Sequence, residues 1–303
     1  MIIGRNEPLD YKSIFETIVN VVSEYLTNNG IKTMVLGLSG GLDSTVCAAI
    51  CKKVNEKTGI PLIGISLPCS TNKSDEVSSA LLAGVEFCDE FSEINIQDGF
   101  ECIEKMCGKA SGLSSTLISQ GNIKARLRMI TLYDIASKRR GVVIDTDNLT
   151  EHFVGFFTVN GDVGDLNPIG NLWKTEVYGL ADYLYKEVYK DSKALKAAIE
   201  ITPTDGNGVS SSDLEQIMPG YTYSDIDSIL MAWVTLDNRI KDSYLKNGFN
   251  QKGTVFAKLV EKYGEENIKR VVMRSVNSEF KRLPHPIPID MFRGQIVKNY
   301  IIE

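Results

Sequence analysis

Thr33-Met34-Val35-Leu36-Gly37-Leu38-Ser39-Gly40-Gly41-Leu42-Asp43-Ser44-Thr45-Val46 is a short apolar run that breaks into a Ser/Gly-rich turn and becomes amphipathic beyond it. Met34 to Leu38 has the length of a buried parallel strand. Asp43 or Ser44 can cap a helix that carries Val46, Ala49 and Ile50 on one face. Paired glycines let successive backbone N–H groups converge on one point, and the helix start adds its own free N–H groups and the positive end of its dipole. The turn therefore reads as an anion cradle with phosphate as the expected guest.

Outward from that turn, strand and helix alternate. Apolar residues at Ile14, Ile18, Val21, Val22, Tyr25 and Leu26 predict a helix over Tyr11–Asn29, with Gly30 as its C-terminal cap. Helices are expected over 43–56, 74–88 and 122–139, with a weaker one over 100–107 and a Ser/Gly loop over 108–121. Strands are expected over 62–67, 92–96 and 141–145. This order predicts an α/β fold, a doubly wound parallel sheet, whose ligands bind beyond the carboxyl ends of the strands. The Ser39-Gly40-Gly41 turn, Ser66-Leu67-Pro68 and Thr146-Asp147-Asn148 should then share one crevice. Past Glu151 the texture changes to a long Gly/Asn/Asp loop over 155–170, a helix from Lys174 to Val188, and a helical extension toward the C-terminus. We read one domain over 1–303, with an α/β core at about 10–190 and a helical part at about 191–303.

The 303 residues suffice for a large core. A net charge of −6 argues against broad attraction to nucleic acid or anionic membrane. No stretch approaches the roughly 18 apolar residues of a membrane span, and the N-terminus lacks the apolar core of a signal peptide. Six cysteines without a C-x-x-C pair, and only two histidines, argue against structural zinc and for a reducing, cytoplasmic setting.

Single residues are less specific. Arg126 and Arg128 are two apart and point in different directions on a helix, so one of them can face solvent. Asp147 can simply cap a helix, and Lys174 alone reads as a surface lysine. Glu151 can offer magnesium a second carboxylate beside Asp43, which suits a hard cation shared with a triphosphate.

Ser-Gly-Gly-Leu-Asp-Ser at 39–44 lacks the lysine of a P-loop and resembles the pyrophosphatase loop of the ATP pyrophosphatase superfamily. The strings Asn122-Ile123-Lys124-Ala125-Arg126-Leu127-Arg128-Met129, Thr146-Asp147-Asn148 with Glu151, Gly155-Phe156-Phe157-Thr158, Gly161-Asp162, Pro168, Lys174, Pro203-Thr204, Tyr223-x-x-Ile226-Asp227 and Lys281-Arg282 follow in order. Together they resemble ammonia-dependent NAD synthetase over nearly the whole chain. The resemblance implies a Rossmann-like sheet of the adenine nucleotide alpha hydrolase type and a ligase that amidates deamido-NAD through an adenylated intermediate. It implies ATP on Ser39, Gly40, Gly41, Asp43, Ser44, Thr45, Lys174 and Thr204. Mg²⁺ would sit on Asp43 and Glu151, and deamido-NAD near Asn122, Arg126, Thr146, Asp162, Lys281 and Arg282. Asp43, Asp162 and Lys174 would be catalytic, with Asp162 taking a proton from ammonium.

The same resemblance implies a homodimer fed by free ammonia, with no attached glutamine amidase domain, no nucleic-acid partner and no membrane. The rivals are another member of the superfamily, GMP synthetase-like or tRNA-thiolating, and a nucleotide-binding sensor without turnover. The chain departs from the family at Val159, where a lysine is common, at Ser66, where many members have arginine, at Phe280 in place of histidine, and in a shortened Gly161–Asp165 segment. The loops 68–75 and 203–222, rich in breakers and polar residues, are expected to order over the ligands.

Overall fold

The computed structural model describes residues 9–162, 164–201 and 217–283, together with two short strand pieces at 289–290 and 295–296. Helix α1 (Tyr11–Asn28) starts where the Asp10 carboxylate accepts from the N–H groups of Lys12 and Ser13. There follow β1 (Thr33–Gly37), α2 (Leu42–Thr58), β2 (Leu62–Ser66), α3 (Ser74–Phe87), β3 (Glu90–Glu93), α4 (Gln97–Ser111), α5 (Leu117–Lys138) and β4 (Gly141–Ile144). All four strands run parallel in the order β3-β2-β1-β4, with Met34 opposite Leu62 on one side and Val142 on the other. The chain winds from β1 outward through β2 to β3, then returns to place β4 beside β1. The switch point, where an open α/β sheet binds its ligand, thus lies between β1 and β4.

Alternation along each strand decides which side chain meets which helix layer. Met34, Leu36, Leu62, Val142 and Ile144 join a core with α1, α2 and α3. Val35, Ile63, Ile65 and Val143 face the opposite layer, where α5 supplies Ala136 and the partly buried Leu127 and Leu132. Helix α7 (Lys174–Tyr183), continued by a wider π turn over Leu184–Val188, and α8 (Lys193–Glu200) complete the first layer.

A second core is built from α9 (Tyr223–Val234), α10 (Asn238–Asn247), α11 (Val255–Tyr263) and α12 (Glu265–Asn277) around Trp233, Phe249 and Phe256. It takes in Val154, from α6 (Leu149–Val154), and Trp173, the residue before α7. Val154 ends the helix that carries Glu151 and Trp173 directly precedes Lys174, so the helical extension is packed against both segments. Beyond the 3-10 turn Glu279–Arg282, β5 (Ile289–Asp290) pairs antiparallel with β6 (Gln295–Ile296).

Two expectations are corrected. The third strand lies at 90–93 rather than 92–96, because Asp89 starts the ladder: its N–H donates to the Leu62 carbonyl at 2.9 Å and its carboxylate accepts from the Leu62 N–H at 2.8 Å. The loop expected over 108–121 shrinks to five residues, because α4 runs to Ser111 and Thr116 caps α5 at Leu117. The expectation rested on serines, which serve here as helix-end residues.

Candidate functional site

Gly40 has φ +82°, and a Cβ there would stand 2.1 Å from the Glu76 carbonyl oxygen of α3. Only glycine meets both the left-handed backbone and that approach. Gly41 takes the N-cap position of α2, and no side chain caps this helix. The hydroxyls around it hold the turn instead. Ser39 Oγ lies 3.1 Å from Ser44 Oγ and accepts from the Gly41 N–H at 3.2 Å, while Ser44 and Thr45 donate to the Gly41 carbonyl at 3.2 and 2.9 Å. A long helix whose first turn carries no side-chain cap is the arrangement that receives a phosphate.

Asp43 lies in the first turn of α2, Glu151 in the first turn of α6, and Lys174 opens α7. The Lys174 ammonium pairs with Asp43 and, at 3.3 Å, with Glu151. It is no surface lysine: 2% of it is exposed. Burial alone would push it toward neutrality, but Asp43 and Glu151, with a smaller contribution from Tyr223, outweigh that and hold its pKa well above the ordinary lysine value. Asn148, fully buried, ties the two carboxylates together: its side-chain amide donates to Asp43 Oδ1 at 3.1 Å and its backbone N–H to Glu151 Oε2 at 3.2 Å. One cation held by both carboxylates marks the point on which they converge, and a hard divalent ion takes the same oxygen donors. Among the described residues no group of three or more His, Cys, Asp or Glu is arranged to hold a metal by itself. Two carboxylates supplemented by phosphate oxygens and water is the donor set that suits magnesium.

Beside this cluster a cavity of about 220 Å³ opens at the carboxyl ends of β1, β2 and β4, lined by Ser39, Ser66, Arg128, Thr146 and Asp162 among others. The four-residue period of α5 separates its cations. Asn122 and Arg126 share one face: Asn122 accepts from the Thr158 hydroxyl at 3.0 Å, and Arg126 donates to the Val159 carbonyl at 3.2 Å. Arg128 lies on another face and donates to the Leu67 carbonyl at 3.0 Å and to Asn72 at 3.3 Å. The carboxylate of Asp162 accepts from the Thr158 N–H at 2.8 Å. Burial raises the pKa of Asp162, opposed by the Thr158 hydrogen bonds; burial likewise raises Asp147 and Asp145, each further raised by neighbouring carboxylates.

Asn122, Arg126 and Asp162 are thus joined through the 158–162 loop, whereas Asp43, Glu151 and Lys174, on three helices, are joined by ion pairs beside the turn that carries Ser39 and Ser44. Lys281 and Arg282 reach the first from behind. Lys281 donates to the carbonyls of Gly155 and Phe157 at 2.7 and 2.5 Å, and Arg282 to that of Phe153 at 3.0 Å. Lys281 is thus spent on the chain that leaves α6, and Arg282 on α6 itself and on Ser275 of α12. Thr204 and most of the 203–222 loop lie outside the described residues. Sequence reasoning left Asn148 and Arg128 out of the site. The signals were available: Asn148 stands three before Glu151, a capping-box spacing, and Arg128 stands four after Lys124.

The model of the family described as NAD synthase matches residues 14–283. An NH(3)-dependent NAD(+) synthetase of Wolinella succinogenes is 30% identical over 288 residues, covering 94% of this chain and 97% of its own. Among solved structures, an NMN synthetase from Francisella tularensis superposes with a TM-score of 0.65 at 28% identity, covering 89% of this chain and 96% of that one. The NH3-dependent NAD synthetase of Campylobacter jejuni, in complex with nitrate, gives 0.60 at 27% identity, covering 86% and 96%.

Proposed function

As the chain belongs to the NAD synthase family, we infer that this groove carries out the ATP-dependent amidation of deamido-NAD with ammonia, giving NAD, AMP and pyrophosphate. The observation that carries the reading is the buried Lys174 bridging Asp43 and Glu151 at the open start of α2. The nicotinate carboxylate attacks the α-phosphorus of ATP, and the bond to pyrophosphate breaks. Ser39, Gly40, Gly41, Ser44 and Thr45 receive that leaving group, and Lys174 neutralises its growing charge. Asp43 and Glu151 would hold Mg²⁺, which when bound supplies Lewis-acid charge on phosphate oxygens. Ammonia then adds to the acyl carbon and AMP leaves. Asp162, with its raised pKa, takes the proton from ammonium. Asn122, Arg126 and Thr146 border the acceptor, Lys281 and Arg282 hold the loop beneath it, and Thr204 is assigned to ATP.

Incubation with ATP, Mg²⁺, deamido-NAD and ammonium should yield NAD and AMP in equal amounts. AMP without NAD would point to a superfamily relative with another acceptor, and bound ATP without turnover to a sensor. The likeness to an NMN synthetase supports a second reading, in which the acceptor is nicotinate mononucleotide. Val159 favours it, since it removes a basic contact that the resemblance places beside the dinucleotide. The ratio of kcat/KM for the two acceptors decides between them.

A homodimer is supported by exposed Met106, Leu113, Leu117 and Ile118 around the α4–α5 turn, an apolar patch that a second copy would cover. Light scattering at micromolar concentration tests it. Among the described residues no helix is long and apolar enough to cross a membrane, and Cys47, Cys51 and Cys69 are buried free thiols, which fits a cytoplasmic setting.

A further inference from the structure

Helix α9 belongs to the second core, yet two of its residues face the lysine of the ATP groove. Tyr223 and Asp227 are four apart on one face of α9. The Tyr223 ring lies 5.5 Å from the Lys174 ammonium, a cation–π distance. Asp227 meets Thr175, the next residue along, and Thr150, which holds the Lys174 backbone. It is 1% exposed, and its carboxylate accepts from the Thr150 hydroxyl at 2.6 Å, the Thr175 N–H at 3.0 Å and the Thr175 hydroxyl at 2.7 Å. Thr150 in turn accepts from the Lys174 N–H at 2.8 Å. The buried carboxylate thus accepts the Thr175 N–H directly and, through the Thr150 hydroxyl, anchors the acceptor of the Lys174 N–H, at the positive end of α7 where a negative charge is favourable. Thr150 directly precedes Glu151, so the same anion fixes both the start of α7 and the turn of α6 that carries Glu151.

A buried carboxylate is costly unless its hydrogen bonds are all made, and this one spends them on two separate segments of the groove. A structural need to join the two cores would be met by apolar contacts such as those of Trp173 and Ile226, already present in the second core. The charged network points elsewhere. We propose that Asp227 and Tyr223 are positioning residues for the pyrophosphate-binding cation: α9 fixes where the Lys174 ammonium stands, so the helical extension sets the affinity of the ATP groove without touching ATP. This rests on Lys174 serving ATP, as assigned above.

The test is a double-mutant cycle on the full chain. Asp227→Asn is combined with Lys174→Met, and ATP binding is read by calorimetry up to millimolar ATP. With Lys174 present, Asp227→Asn should weaken binding about tenfold. In the Lys174→Met background it should change binding less than about twofold, because the residue it positions is gone. Tyr223→Leu should follow the same pattern with a smaller effect. Equal weakening in both backgrounds, or none in either, overturns the proposal, since a merely structural carboxylate would act regardless of residue 174. Should Asp227→Asn fail to fold, Thr175→Ala removes one donor while the carboxylate stays satisfied by the others, and carries the same cycle. An unmutated chain that binds no ATP would refute the assignment of the groove itself. A chain that binds ATP but shows no coupling refutes only the role of α9.

Discussion

The turn from Ser39 to Thr45 is held by hydrogen bonds between residues two to five positions apart, whereas the lysine that closes the same groove pairs with partners 131 and 23 positions away. Asp227 adds links of 77 and 52 positions. On the proposed assignment both regions serve one charge, the departing pyrophosphate. The first is a local device whose geometry follows from glycine and hydroxyl side chains. The second exists only when α2, α6, α7 and α9 are packed together, so it depends on the fold and also reports on it.

Breaking the long-range half should cost most. Asp43→Ala removes a carboxylate from Lys174 and from the proposed magnesium donors together. AMP formation should fall about 10³-fold while the circular dichroism spectrum is retained, as expected for loss of a main electrostatic group. Retained turnover would show that the two halves are not coupled at Asp43. Next, Asp162→Asn should reduce NAD formation about 10²-fold. In the unmutated chain the raised pKa keeps the proton on Asp162 to higher pH, so activity should be lost on acidification above the ordinary aspartate value of 3.8. A pH–rate profile in which the variant keeps the same acid limb would assign that limb to another group, with Asp147 the first suspect.

The local half is sharpened by two alanines. Gly40→Ala faces the Glu76 carbonyl at 2.1 Å and a φ of +82°. It should destabilise the chain by at least about 2 kcal/mol, of which about 1–2 is the left-handed backbone alone, and should weaken ATP binding. Gly59→Ala shares the positive φ, +73°, but has nothing within 4 Å of the added Cβ. It should cost only about 1 kcal/mol in a denaturant titration and leave kinetics unchanged. Equal costs at the two sites would mean that the contact with α3 carries no weight.

Much of the fold was legible because period-2 and period-3.6 patterns are local. The β1 and β4 strands and the helices α1, α2 and α3 lie close to where the patterns put them. The edge strand β3 was misplaced because its ladder begins at Asp89, through a side chain, while apolar Ile94 and Ile96 drew the expectation onward. The site was legible in its motifs and less so in its connections. Lys174 read alone as a surface residue, and nothing in its neighbours in sequence says otherwise. Lys281 and Arg282 read as contacts to deamido-NAD, yet Lys281 donates to the carbonyls of Gly155 and Phe157, more than a hundred positions earlier, and Arg282 to those of Phe153 and the nearby Ser275.

The sequence by itself determined that the Ser39–Ser44 turn has the form of an anion cradle, because conformational freedom at Gly40 and free N–H groups at a helix start are properties of a few adjacent residues. It also carried the ordered motifs by which the family is recognised. Only the tertiary structure decided that one buried ammonium joins Asp43 to Glu151, and that a carboxylate from the helical extension stands behind it. Such charges are stable in the interior only when partners from distant segments satisfy them, and which segments meet is settled by packing rather than by spacing along the chain.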